Sequence, residues 1–158
     1  MLRNKNLVPL SHQHQHALAM CVRLKRALQA GEVDMEAWQA ELAQFELEIA
    51  VHFAAEEKEL FPRAGRLPEM QSLVEELKDQ HEALRELFSG AQKRRLDRCA
   101  LGALQAKLTA HIRKEERELF EGMQNGLGAD EMQAIGAALE RALAKAVTIC
   151  ALPGAQPS

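Results

Sequence analysis

The chain has 158 residues, enough for one domain with a real core. Hydrophobic residues make up 47 % of it but aromatics only 4 %, and there is no tyrosine, so the bulk comes from Leu, Ala and Met among helix-favouring Glu, Lys, Arg and Gln. That composition predicts an all-α protein. A formal net charge of −3 gives no reason to expect nucleic acid or an anionic membrane as partner, and no apolar run approaches the ~20 residues of a membrane span. The one basic run, KRRLDR (Lys93 to Arg98), is short and has no interleaved aromatics, so it reads as a solvated connection. Cys21, Cys99 and Cys150 are widely spaced and form no CxxC, and the start MLRNKNLVPLSHQ lacks the apolar core of a secretory signal. Reduced thiols and a cytoplasmic location are therefore expected.

Helix breakers divide the chain. A first helix is expected from an N-cap at Ser11 to Ala30, ended by Gly31. A second runs from about Asp34 to Phe61 and stops at Pro62. A third runs from about Glu69 to Phe88, before Ser89 and Gly90, and a fourth from about Asp97 to Met123. An Ala-rich fifth helix spans about Asp130 to Ile149 and either caps the others or mediates dimerisation. Residues 1–150 then form one domain and 151–158 a disordered tail. Short connections between long amphipathic helices imply antiparallel neighbours, hence an up-down-up-down four-helix bundle with an additional C-terminal helix.

The inward stripes carry the chemistry. The second helix presents Trp38, Leu42, Phe45, Ile49, His52, Glu56 and Leu60 at core-seam spacing. The third presents Leu73, Leu77, His81, Leu84 and Phe88, and the fourth Leu101, Leu104, Leu108, His111, Glu115 and Leu119. The segments HFAAEEKELF (His52 to Phe61) and HIRKEERELF (His111 to Phe120) are identical at six of ten positions. In each, His and Glu stand four residues apart and share a helix face.

A single such pair would most simply be a hydrogen-bonded core histidine beside a solvated glutamate. Two copies in register on core stripes, with a third stripe histidine on another helix, are different. Two glutamates on facing helices would repel in an apolar core unless a positive charge lay between them. A metal ion supplies that charge and accepts the imidazoles as well. Glu57, Glu59, Glu116 and Glu118 read as solvated residues.

The first helix adds one more histidine. Its apolar face comprises Leu18, Cys21, Val22, Leu24 and Leu28, and at about 100° per residue His14 falls on that face. His12 and His16 point roughly the opposite way and read as solvated.

With these residues in place, the chain resembles the hemerythrin-like (HHE cation-binding) domain family over nearly all of its helical part. The resemblance rests on PLSHQH in the first helix, HFAAEEKELFP in the second, DQHEAL in the third and HIRKEERELF in the fourth. It implies a non-haem di-iron centre, two iron ions with a bridging oxo or hydroxo group, inside a helical bundle. The implied ligands are His14, His52, Glu56, His81, His111 and Glu115. Glu56 and Glu115 would bridge, His14 and His52 would complete one iron, and His81 and His111 the other. Glu116 is an alternative to Glu115 as the bridge.

One departure stands out. Oxygen-carrying hemerythrins have a second histidine four residues after the third-helix histidine, and here that residue is Arg85. Six protein ligands instead of seven leave more positions for water, dioxygen or another small molecule, which favours redox reactivity or sensing over stable oxygen carriage. The lack of tyrosine speaks against a radical-storing oxidase, and the inward Glu-x-x-His motif of ferritin-type bundles does not occur. The expected function is binding of dioxygen or a related diatomic at the di-iron centre, by a monomer or homodimer, for oxygen, nitric oxide or iron sensing, storage or scavenging. The alternatives are a di-iron peroxidase or oxidase and a metal-free helical adaptor.

Overall fold

The computed structural model describes residues 2–150, the side chains of 145–150 excepted, so the expected disordered tail and the Cys150 side chain lie outside the described residues. All regular structure among the described residues is helical. Helix α1 spans Val8–Ala30, α2 Met35–Ala55, α3 Phe61–Ala64, α4 Gln71–Gln92, α5 Arg98–Lys114, α6 Phe120–Gly126 and α7 Ala129–Cys150. Two π-helical turns, Glu56–Leu60 and Glu115–Leu119, carry α2 into α3 and α5 into α6. None of the helices searched is long and apolar enough to cross a membrane.

Several helix ends follow the sequence, and others do not. Asp34 and Asp97 cap α2 and α5, each side chain accepting a hydrogen bond from the backbone N–H three residues on. Gly31 ends α1 in the left-handed region at φ 75°. Ser11, however, is not a cap: α1 begins at Val8, because Pro9 sits in the first turn where a missing N–H is tolerated. Nor does Pro62 stop the second helix. It follows the π turn and occupies the first turn of α3, again where no donor is required. Gly90 does not end the third helix either, since α4 continues to Gln92. A Cβ at residue 90 would lie 2.5 Å from Leu96 Cδ2, so glycine here lets the connection fold against α4. The left-handed Arg94, at φ 56°, then turns the chain. Helix α6 reaches Gly126, past the expected end at Met123. Gln124 in its last turns accepts hydrogen bonds from Asn4 and Arg3 of the N-terminal segment.

Helix α1 lies along α5, α2 along α4, α4 along α5, and α7 against α2. The buried apolar residues form two cores. One gathers Leu7, Leu10, Leu60, Phe61, Leu77, Leu119 and Phe120 with Met132, Ile135 and Leu139 of α7. The other gathers Ala17, Leu24, Leu42, Phe53, Leu84, Phe88, Leu104 and Leu108. Helices α1 and α4 start in the first core and finish in the second, whereas α2 and α5 start in the second and return to the first through their π turns. The inward faces are those expected apart from their margins. Val22 is 47 % exposed, with Ala17 and Met20 buried on that face instead, and Val74 is buried where Leu73 is only half-buried. Leu104 is fully buried within the second core. Leu104→Ala should therefore cost about 2–5 kcal/mol, read as a lower midpoint in thermal or denaturant unfolding with the helical spectrum retained.

Candidate metal centre

The boundary between the two cores is polar, and every helix that crosses it contributes a histidine. His14 follows Leu10 of the first core and precedes Ala17 of the second. His81 lies between Leu77 and Leu84 in the same way. His52 and His111 occupy the last turns of α2 and α5, and Glu56 and Glu115 open the π turns that follow. In both turns the N–H of the next phenylalanine, Phe61 or Phe120, bonds back five residues to the glutamate carbonyl. The stripes step by four residues twice in succession here, His52–Glu56–Leu60 and His111–Glu115–Leu119. An ordinary α-helix would rotate such a row off its face, and the wider turn absorbs the extra residue.

All six sequence-derived candidates are buried, Glu56 and Glu115 completely. They converge as two overlapping groups, His14, His52, Glu56 and Glu115 in one and His81, His111, Glu56 and Glu115 in the other, with ligand atoms within 4.8 Å of one another. Each carboxylate divides its oxygens between the groups. Glu56 Oε1 lies 3.1 Å from His52 Nε2, and its Oε2 lies 3.4 Å from His81 Nε2. Glu115 Oε2 lies 3.2 Å from His14 Nε2, and its Oε1 lies 3.2 Å from His111 Nε2. Within each group the two imidazole Nε2 atoms stand close, 3.0 Å for His14 and His52 and 3.1 Å for His81 and His111. Of the two fourth-helix glutamates left open by the sequence, Glu115 belongs to both groups, and Glu116 meets His14 only at its outer nitrogen.

Glu116 has a different place. The Nδ1–H of every histidine in the cluster has an oxygen acceptor on its outer side. His14 donates to Glu116 at 2.7 Å, His81 to Glu57 at 2.8 Å, His52 to Gln13 at 2.7 Å and His111 to Gln80 at 2.9 Å. Glu57 and Glu116 are thus half-buried hydrogen-bond acceptors, not the freely solvated residues expected. The Glu-Glu doublet of both repeats and the Gln-His doublets at 13–14 and 80–81 are the sequence signals that point to these four acceptors. Gln and Glu are common on helix surfaces, so the doublets acquire meaning only once the facing helix is known. Arg85 points outward and pairs with Glu57 at 2.7 Å. His12 is exposed, and His16 is exposed beside Glu48.

These outer bonds fix the chemistry of the centre. An imidazole that donates from Nδ1 turns the Nε2 lone pair inward. Four lone pairs therefore meet four carboxylate oxygens, and none of those oxygens has a hydrogen-bond partner. Acceptors alone cannot hold such an arrangement in an apolar core, but a cation can. The residues fit a metal, with mixed imidazole and carboxylate donors suited to iron, zinc or manganese.

Without metal, protons take its place. Burial disfavours the charged form of His81, but Glu115 and Glu56 outweigh it and push its pKa up to about 9. Burial likewise opposes a charged His14, which Glu115, Glu116 and Glu56 overcome to raise it well above the ordinary value. Burial and Glu115 drive the Glu56 carboxyl upward, yet His52 and His14 prevail and hold it below the usual range. Glu115, opposed by burial, is held well below that range by His111, His14 and His81.

Helices enclosing two overlapping His2Glu2 clusters define the class: an all-helical protein with a buried site fit for metal. Residues 7–122 match the model of the hemerythrin HHE cation binding domain, and the chain belongs to that family. No curated protein and no solved structure gives a significant match.

Protons and metal compete for the same Nε2 atoms. The raised pKa of His81 stabilises the metal-free protein fully below pH 6.5, and that contribution is lost as the pH rises through about 9. The melting temperature of the metal-free protein should fall across this window, while that of zinc-loaded protein falls less and zinc affinity rises. Parallel melting profiles with and without zinc would contradict the competition.

Proposed function

We propose that the chain is a non-haem di-iron protein that binds dioxygen or a related diatomic molecule. In this reading residues 1–150 form one domain, an up-down-up-down four-helix bundle with α7 as an additional C-terminal helix. The alternation of helix direction between the two cores supports that architecture. His14 and His52 hold one iron, His81 and His111 the other, and Glu56 and Glu115 bridge them. The observation that carries the proposal is the set of four buried carboxylate oxygens without hydrogen-bond partners, shared between two imidazole pairs. Two irons held there supply exchangeable coordination positions and a ferrous–ferric couple.

The surroundings favour a very small ligand. A cavity of about 20 Å3, room for roughly one water-sized molecule, touches His14, His52 and His111. Ile49, Phe53 and Leu108 make its wall largely apolar. A diatomic molecule fits such a space, and an organic substrate does not. Unpaired Cys21 in the core is consistent with a reducing, cytoplasmic setting.

Metal analysis combined with optical spectra, taken anaerobically and after admitting air, tests the proposal. Two irons per chain and a visible band that appears with air and reverses under vacuum are expected. His52→Ala should lose the band and lower iron content. Sustained turnover of hydrogen peroxide by the iron protein, abolished in His52→Ala, would instead establish a peroxidase. A purified protein that takes up no iron and gains no thermal stability from it would be a metal-free helical adaptor.

A further inference from the structure

Two arginines stand outside the centre in matching positions. Arg85 Nη1 donates to Glu57 Oε1 at 2.7 Å, the same oxygen that accepts the His81 Nδ1–H. Its guanidinium also lies 5.5 Å over the Phe53 ring, which stacks on the His81 imidazole at 3.8 Å. Arg3 repeats this arrangement in the other half. Its Nη2 donates to Glu116 Oε2 at 2.6 Å, while Glu116 Oε1 accepts the His14 Nδ1–H. Its guanidinium lies 5.0 Å over Phe120, which stacks on His14 at 5.5 Å. Each half thus has one histidine in an Arg–Glu–His chain flanked by an Arg–Phe–His stack. The second histidine of each half, His52 or His111, has a neutral glutamine acceptor instead.

The repeated HxxxEE segments account for Glu57 and Glu116, but not for the arginines. Arg85 is four residues after His81 on α4, whereas Arg3 is eleven residues before His14, in the segment preceding α1. Two unrelated stretches of chain have delivered the same cation to the same place. Neither guanidinium reaches the cluster, so neither is a ligand.

We propose that Arg3 and Arg85 are positioning residues that set the reduction potential of the metal in each half of the centre. The proposal rests on the di-iron reading above. A carboxylate that accepts an Nδ1–H draws that proton toward itself and makes Nε2 a stronger donor, which favours ferric over ferrous iron. The arginine opposes this by occupying the carboxylate and adding a positive charge nearby, which favours the ferrous state. Glutamate and arginine therefore act in opposite senses on the same imidazole.

Arg85 gives the cleaner test, because Arg3 also bonds the Glu116 carbonyl and Gln124 and so anchors the N-terminal segment. Iron-loaded wild type, Arg85→Gln, Arg85→Lys and Glu57→Gln are titrated anaerobically with dithionite in the presence of mediators, following the ferric absorption. At a fixed potential, Arg85→Gln should raise the ferric-to-ferrous ratio several-fold and Glu57→Gln should lower it, a tenfold change being 59 mV for one electron. Arg85→Lys, which keeps the charge, should stay near wild type. Equal potentials in all four proteins at full iron occupancy would overturn the proposal, as would shifts of the same sign in Arg85→Gln and Glu57→Gln. A wild type that binds no iron would sink the di-iron reading and this inference together.

Discussion

Two carboxylates, Glu56 and Glu115, are completely buried with none of their four oxygens hydrogen-bonded. Burying an ion without a partner is among the most unfavourable things a fold can do. The rest of the molecule is arranged around that cost. Four imidazoles turn toward the oxygens, the apolar core is split into two parts above and below them, and the helix geometry widens into a π turn where each glutamate enters. A metal ion would satisfy the arrangement. In its absence, protons on His14 and His81 are the substitute, which is why their pKa values rise while those of the glutamates fall.

The outer shell of partners turns a set of histidines into a directed donor set. A free imidazole can present either nitrogen, and its tautomer is set by what the other nitrogen meets. Here each Nδ1–H is taken by Glu116, Glu57, Gln13 or Gln80, every one supplied by a neighbouring helix. Removing any of these acceptors would leave the histidine present but free to rotate or change tautomer. The centre therefore depends on the packing of α1 on α5 and α2 on α4 as much as on the ligands themselves. The N-terminal segment joins this framework through Arg3, so residues that precede the first helix contribute to the surroundings of His14.

The two halves of the centre are alike in their immediate donors and in their outer acceptors. That likeness follows from the repeated HxxxEE segments and from the Gln-His doublets at 13–14 and 80–81, whereas Arg3 and Arg85 come from dissimilar sequence contexts. What breaks the symmetry is the small cavity. It touches His14 and His52 of one half but only His111 of the other. The open space beside the centre is therefore unequal between the two halves, although the protein donors are matched.

Helical content and the six-residue cluster were legible in the sequence because both rest on periodicity. A stripe of apolar residues at three- and four-residue steps defines a buried face, and a His or Glu on that stripe must be buried with it. The same logic separated His14 from His12 and His16. Helix ends were read less well. Pro62 and Gly90 look like boundaries, yet Pro62 is tolerated in a first turn after a π turn, and Gly90 stays within α4 because Leu96 packs where a Cβ would stand. The roles of Glu57, Glu116, Gln13, Gln80, Arg3 and Arg85 were decided only by tertiary structure. Their partners lie on other helices or far along the chain, and local spacing carries no information about which residue faces which across a helix interface. Sequence alone determined that the His and Glu of the apolar stripes must be buried, because periodicity fixes the inward face; only the tertiary structure decided which nitrogen each histidine turns inward.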